Sequence, residues 1–147
     1  RGLATLELFA GSGNFTHELV AAGVGPLVAA EVSTEALDEL SASLPGVTAL
    51  ELDLIGGLSG KQIAEALPNA ELLVLDPPRE GFVGLSALVD SLSHLQWIVY
   101  ISCDLASFQR DVEGLDSQFE LIELQPIDLY PQTPHVEVLS FWSRRAS

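Results

Sequence analysis

The chain has 147 residues, is 48% apolar, and carries a formal net charge of −15 with only six lysines and arginines. That length suits one domain with one sizeable core, and no apolar run nears the roughly 20 residues of a membrane span. The single cysteine excludes an internal disulfide, His17, His94 and His135 lack ligand-like spacing for a metal, and so few cations argue against this domain gripping a phosphate backbone by itself.

Thr5 to Phe9 reads as a first strand, followed by a glycine-rich turn and a short helix over Phe15 to Ala22 with apolar positions at Phe15, Leu19 and Val20. Gly23 and Gly25-Pro26 stop that helix. Leu27 to Val32 is a second strand, and Ser33 is the N-cap expected for a helix over Glu35 to Ser43, ended by Pro45-Gly46. Val47 to Leu52 is a third strand closed by Asp53. A helix over Lys61 to Leu67 leads to a fourth strand, Glu71 to Leu75, which is uniformly apolar after Glu71, as a strand covered on both faces should be. Leu85 to Leu92 is helical, Trp97 to Ser102 is a fifth strand, and Leu105 to Leu115 is helical. Phe119 to Leu124 and Val136 to Trp142 are two late strands joined by the proline-rich segment Pro126 to Pro134.

Strict alternation through five units predicts a parallel sheet with helices on both faces. The last two strands have no helix between them and are expected to pair antiparallel. In such sheets ligands bind outside the carboxyl ends of the strands, so the segments just after the strands are where chemistry is expected.

Phe9-Ala10-Gly11-Ser12-Gly13-Asn14 follows the first strand, where glycines allow a tight turn and close backbone approach to a ligand. Thr16 holds the place of the third glycine of a dinucleotide fingerprint. Glu31 ends the next strand about 20 residues on, where an acid accepts hydrogen bonds from ribose hydroxyls. Asp53 ends the third strand, where an adenine edge would lie. A nicotinamide dinucleotide is the competing ligand; the missing third glycine and the chemistry of the later strand ends favour S-adenosylmethionine.

Asp76-Pro77-Pro78-Arg79 follows the fourth strand, and its prolines remove backbone donors and stiffen a turn that presents Asp76. Ser102-Cys103-Asp104 follows the fifth. A cysteine there is either a small buried hydrophobe or a nucleophile whose thiolate a helix N-terminus stabilises. Pro134-His135-Val136-Glu137 opens the last strand, and Glu137 can face the same pocket. A thiolate with a carboxylate base suits covalent catalysis on an electron-poor ring.

The stretches Phe9 to Thr16, Asp76-Pro77-Pro78-Arg79-Glu80-Gly81, Tyr100 to Asp104 with Arg110-Asp111, and Asp128 to Glu137 resemble the motifs of the RNA uracil-C5 methyltransferases, in the same order and over nearly the whole chain. The resemblance implies a Rossmann-like S-adenosylmethionine-dependent methyltransferase fold, an α/β architecture with a mostly parallel seven-stranded sheet whose last strand is antiparallel. It implies a cytoplasmic enzyme acting on tRNA or rRNA, with Cys103 adding to uracil C6 and Glu137 removing the C5 proton. Asp76 and Arg79 would meet the substrate. Phe9, Gly11, Gly13, Asn14, Phe15, Glu31, Asp53 and Asp76 would line the S-adenosylmethionine site. Three positions depart from the family pattern: Ala10 stands where it usually has cysteine, and Asp104-Leu105 where it has Asn-Pro.

Two other readings remain at this stage. An amino-group methyltransferase is suggested by Asp76-Pro77-Pro78, although Arg79 stands where an aromatic normally follows, and a catalytically silent cofactor-binding module is compatible with the acidic composition. The chain has no methionine and opens on Arg1-Gly2, so it is expected to be the catalytic domain, residues 1–147, of a longer protein whose RNA-binding surface lies elsewhere. Neither a membrane nor a metal is expected as a partner.

Overall fold

The computed structural model describes residues 2–56, 60–128 and 136–146. Seven strands form one sheet: β1 (Thr5–Leu8), β2 (Leu27–Glu31), β3 (Thr48–Glu51), β4 (Leu72–Leu75), β5 (Trp97–Ser102), β6 (Phe119–Ile127) and β7 (Glu137–Arg144). The helices are α1 (Asn14–Ala21), α2 (Thr34–Ser43), α3 (Gly60–Glu65), α4 (Leu85–Ser91) and α5 (Leu105–Val112).

The strand order is β3-β2-β1-β4-β5-β7-β6. Neighbours from β3 to β5 pair in parallel, while β7 runs antiparallel to both β5 and β6. The expected mostly parallel sheet with an antiparallel last strand is the one observed. The order reverses direction at β1, which lies between β2 and β4; such a switch point opens a crevice at the carboxyl edge.

Alternation along the strands divides the interior into two layers. Leu6 and Leu8, with Leu73, Leu75, Ile98 and Tyr100, face the main core beneath α3, α4 and α5, where Ile63, Leu85, Leu88 and Phe108 pack. The opposite face carries Ala29, packed with Ala10 and Leu40 under α2. Leu73, Val74 and Leu75 are all buried, as the apolar run predicts for a strand covered on both sides.

Four readings of the sequence need correction. Helix α1 does not bury Phe15 and Val20, which are 41% and 42% exposed; Thr16 is its buried residue. The apolar spacing fits a helix, but the helix is rolled so that the small Thr16 meets the sheet. Helix α5 ends at Val112 rather than Leu115, because Gly114 breaks it before a 3-10 turn over Leu115–Ser117. Strand β6 continues past Leu124 to Ile127 and passes through Pro126, which the sheet tolerates because β6 is its edge and a proline needs no partner on the open side. Strand β7 runs on past Trp142 to Arg144. The segment 129–135, with His135 and most of the late motif, lies outside the described residues.

Candidate active site

The glycine-rich turn is built from backbone that ordinary residues avoid. Gly13 caps α1 at φ 101°, and Phe9, a bulky residue, sits at φ 61°. Holding a non-glycine there costs of order 1–2 kcal/mol, and it occurs directly at the crevice, with Phe9 braced edge-on against Phe82 at 5.6 Å between ring centroids.

Glu31 fixes this turn to the end of β2. One carboxylate oxygen accepts the Gly11 N–H at 2.9 Å; the other accepts the Val32 and Ser33 N–H groups at 2.8 and 3.0 Å. The acid expected to meet ribose hydroxyls therefore also shapes the loop, and keeps spare acceptor capacity. Asp53 behaves likewise: one oxygen accepts from Ile55 and Gly56 at 3.2 and 2.7 Å, which curls the chain after β3. Between these turns lies a cavity of about 450 Å³, lined by Phe9, by Glu31 and Val32, by Leu52 to Ile55, and by Asp76, Pro77 and Pro78. That volume is in the range of small-molecule sites. Gly11, Gly13, Asn14 and Phe15 do not line it. Asn14 and Phe15 lie exposed on the first turn of α1.

One acid that the sequence reading passed over sits beneath the turn. Glu7, in the middle of β1, is 2% exposed, and the buried Thr16 hydroxyl is its polar neighbour. Burial raises its pKa from 4.5 to about 7; the Thr16 hydroxyl eases this and the Asp76 charge adds to it. Its signal in the sequence was a lone acid inside a run of four otherwise uncharged residues.

Asp76 follows β4 on a rigid turn, half-buried. Desolvation foremost, and then Glu137, raise its pKa from 3.8 to about 6. Glu137 reaches it because β7 is antiparallel: its amino end, not its carboxyl end, lies at this edge, and the pairing of Ser102 with Val138 brings Glu137 level with the segment after β5. That segment holds Cys103, which is exposed, so it is not the small buried hydrophobe that most isolated cysteines are. Ser102 Oγ donates to the Asp104 carbonyl at 2.8 Å and accepts its N–H at 3.2 Å, setting the strand-to-helix corner. Asp104 is the N-cap of α5: its carboxylate accepts the Ser107 N–H at 2.9 Å and lies 3.8 Å from the Arg79 guanidinium. The Ser107 bonds foremost, with help from Arg79, hold the Asp104 carboxyl below the usual range. Arg79, expected at the substrate, thus lies beside Asp104 at the rim.

No family model matches the chain. Among curated proteins it is 37% identical over 142 residues to an uncharacterised RNA methyltransferase of Nitrosomonas europaea, covering 95% of this chain and 36% of that one. It is 34% identical to the 23S rRNA (uracil(747)-C(5))-methyltransferase of Halothiobacillus neapolitanus, covering 94% and 37%. The structure of the Pyrococcus abyssi tRNA (uracil-54, C5)-methyltransferase, in complex with S-adenosyl-L-homocysteine, superposes with a TM-score of 0.75 at 25% identity over 97% of this chain and 34% of that one. Over nearly its whole length the chain is a relative of RNA methyltransferases, uracil-C5 enzymes among them. It spans about a third of the length of these relatives.

For an RNA methyltransferase the cofactor is S-adenosylmethionine, and the crevice suits it. Its sulfonium and amino groups are cationic, and the wall they would meet presents Glu31, Asp53 and Asp76 with no lysine or arginine among the lining residues. A pyrophosphate would be repelled by the same carboxylates. Val32, Leu52, Leu54 and Ile55 give the apolar slot an adenine needs.

Proposed function

We propose that this chain is the catalytic part of an S-adenosylmethionine-dependent RNA (uracil-C5) methyltransferase, acting on tRNA or rRNA in the cytoplasm and reaching that RNA through surface outside these residues. The observation that carries the reading is the meeting of an exposed Cys103, Asp76 and Glu137 at one sheet edge beside the cofactor crevice.

The Cys103 thiolate adds to uracil C6, and the displaced π electrons make C5 nucleophilic. The cofactor supplies an electrophilic methyl group. With C5 methylated, Glu137 takes the C5 proton, the C5–H electron pair restores the C5–C6 double bond, and the Cys103 sulfur leaves as thiolate. Asp76, with a pKa of about 6, holds the polar edge of the ring; near neutrality such a carboxyl can accept from N3–H or, when protonated, donate to a carbonyl oxygen. A base inside a duplex or stack has to flip out to reach Cys103.

In the complete protein, Cys103→Ala is expected to abolish methyl transfer from radiolabelled cofactor to tRNA or rRNA transcripts, and wild-type turnover by that variant would overturn the mechanism. An amino-group methyltransferase needs no cysteine, so the same variant separates the two chemistries. Glu137→Gln is expected to accumulate a protein–RNA adduct that survives denaturing electrophoresis. A folded Glu137→Gln protein that transfers methyl normally, or that never accumulates adduct, would remove Glu137 as the base.

A further inference from the structure

Helix α5 does more than follow the nucleophile. Ser107, Arg110 and Asp111 are spaced i, i+3 and i+4 and so lie on one face of the helix. Each engages a backbone group of the turn after Pro78. The Ser107 hydroxyl donates to the Arg79 carbonyl at 2.8 Å, Arg110 Nη2 donates to the Glu80 carbonyl at 2.7 Å, and the Phe82 N–H donates to Asp111 Oδ2 at 2.6 Å. The Asp111 carboxylate is fully buried; its other oxygen accepts Arg110 Nε and Nη2 at 2.9 and 2.6 Å, and Oδ2 also accepts the Tyr100 hydroxyl at 2.7 Å. The turn is shaped to receive this comb. Gly81 adopts φ +75°, and a Cβ there would overlap Asp111 Oδ2 and crowd Arg110 Nη2.

The same helix begins at Asp104, directly after Cys103. One rigid element therefore carries the thiol at its amino end and, along one face, grips the turn that presents Asp76. We propose that Asp111, with Arg110 and Ser107, is a positioning residue that sets the spacing between Cys103 and the Asp76 turn, so that the uracil edge and C6 are presented together. The proposal rests on the uracil-C5 reading above. It concerns mainly the substrate half of the site: the comb bonds no residue of the glycine-rich turn or of the ends of β2 and β3, and it meets the cofactor cavity only through the Asp76-Pro77-Pro78 wall and Phe82, which braces Phe9.

The test uses the complete protein and tRNA and 23S rRNA transcripts containing 5-fluorouridine, whose C5–F bond the base cannot break, so that addition and methylation leave a stable adduct. Asp111→Asn keeps the volume and removes the charge that organises Arg110. Its adduct rate at saturating RNA is expected to fall about 10- to 100-fold, the scale for a misplacement near 1 Å, with S-adenosylmethionine affinity by calorimetry lowered far less than that rate and KM for RNA unchanged. Gly81→Ala should show the same pattern. Tyr100→Phe removes a bond to the same carboxylate from the core side and is expected to lower the melting temperature without slowing adduct formation. An undiminished rate in folded Asp111→Asn, or equal slowing by Tyr100→Phe, would overturn the proposal and leave only a structural network. Failure of the wild type itself to form adduct would overturn the covalent reading, and the positioning role with it.

Discussion

Glu7 is the residue whose surroundings cost the fold most visibly. Its carboxyl lies in the middle of a buried strand and titrates at about 7 rather than 4.5. Between those values the folded chain holds a proton that the unfolded chain has released. Stability must therefore fall as pH rises through that window and level off above it. The size of the effect is of order 3 kcal/mol at pH 8 relative to pH 4.5. Glu7→Gln removes the titration, so the variant should gain stability relative to wild type as pH rises. Urea melts of both proteins at pH 4.5 and pH 8 check this: the difference in unfolding free energy is expected to move in favour of the variant by a few kcal/mol. An identical difference at both pH values would show that Glu7 ionises in the fold at no cost.

At the scale of elements, legibility followed how local the cause was. The apolar run of β4, the N-cap Ser33, whose hydroxyl accepts the Ala36 N–H at 3.3 Å, and the antiparallel last strand could all be read from neighbouring residues. So could the placement of motifs at strand ends, which follows from alternation alone. Features set by distant partners were not legible. Phe15 and Val20 have helical spacing, but only packing against the sheet decides that Thr16 is the residue turned inward. Pro126 looks like a strand terminator until β6 is known to be an edge. Glu137 could be suspected of facing the pocket, yet its approach to Asp76 depends on the β5–β7 register. Asp104 reads in sequence as a carboxylate beside a thiol; in the fold it is the cap of α5, bound to Ser107 and paired with Arg79.

The whole molecule combines a cofactor crevice walled by carboxylates with a net charge of −15. The main core runs without interruption from Leu6 in β1 to Trp142 in β7, so the sheet and its helices hold together through their own buried surface. Affinity for RNA, by contrast, comes mostly from cations that displace counterions from phosphates, and this chain has six against 21 acids. Residues 1–147 prepared by themselves are therefore expected to give heat on titration with S-adenosylmethionine but no gel shift with tRNA at concentrations up to roughly tens of micromolar, the weak end of ordinary non-specific binding. The salt dependence should have the opposite sign to that of a basic RNA-binding protein. Lowering the salt lengthens the range of charge repulsion, so it should suppress any residual contact instead of strengthening it. Retention of tRNA that grows as salt is lowered would mean that a local basic face outweighs the net charge, and would move the RNA-binding surface into this chain.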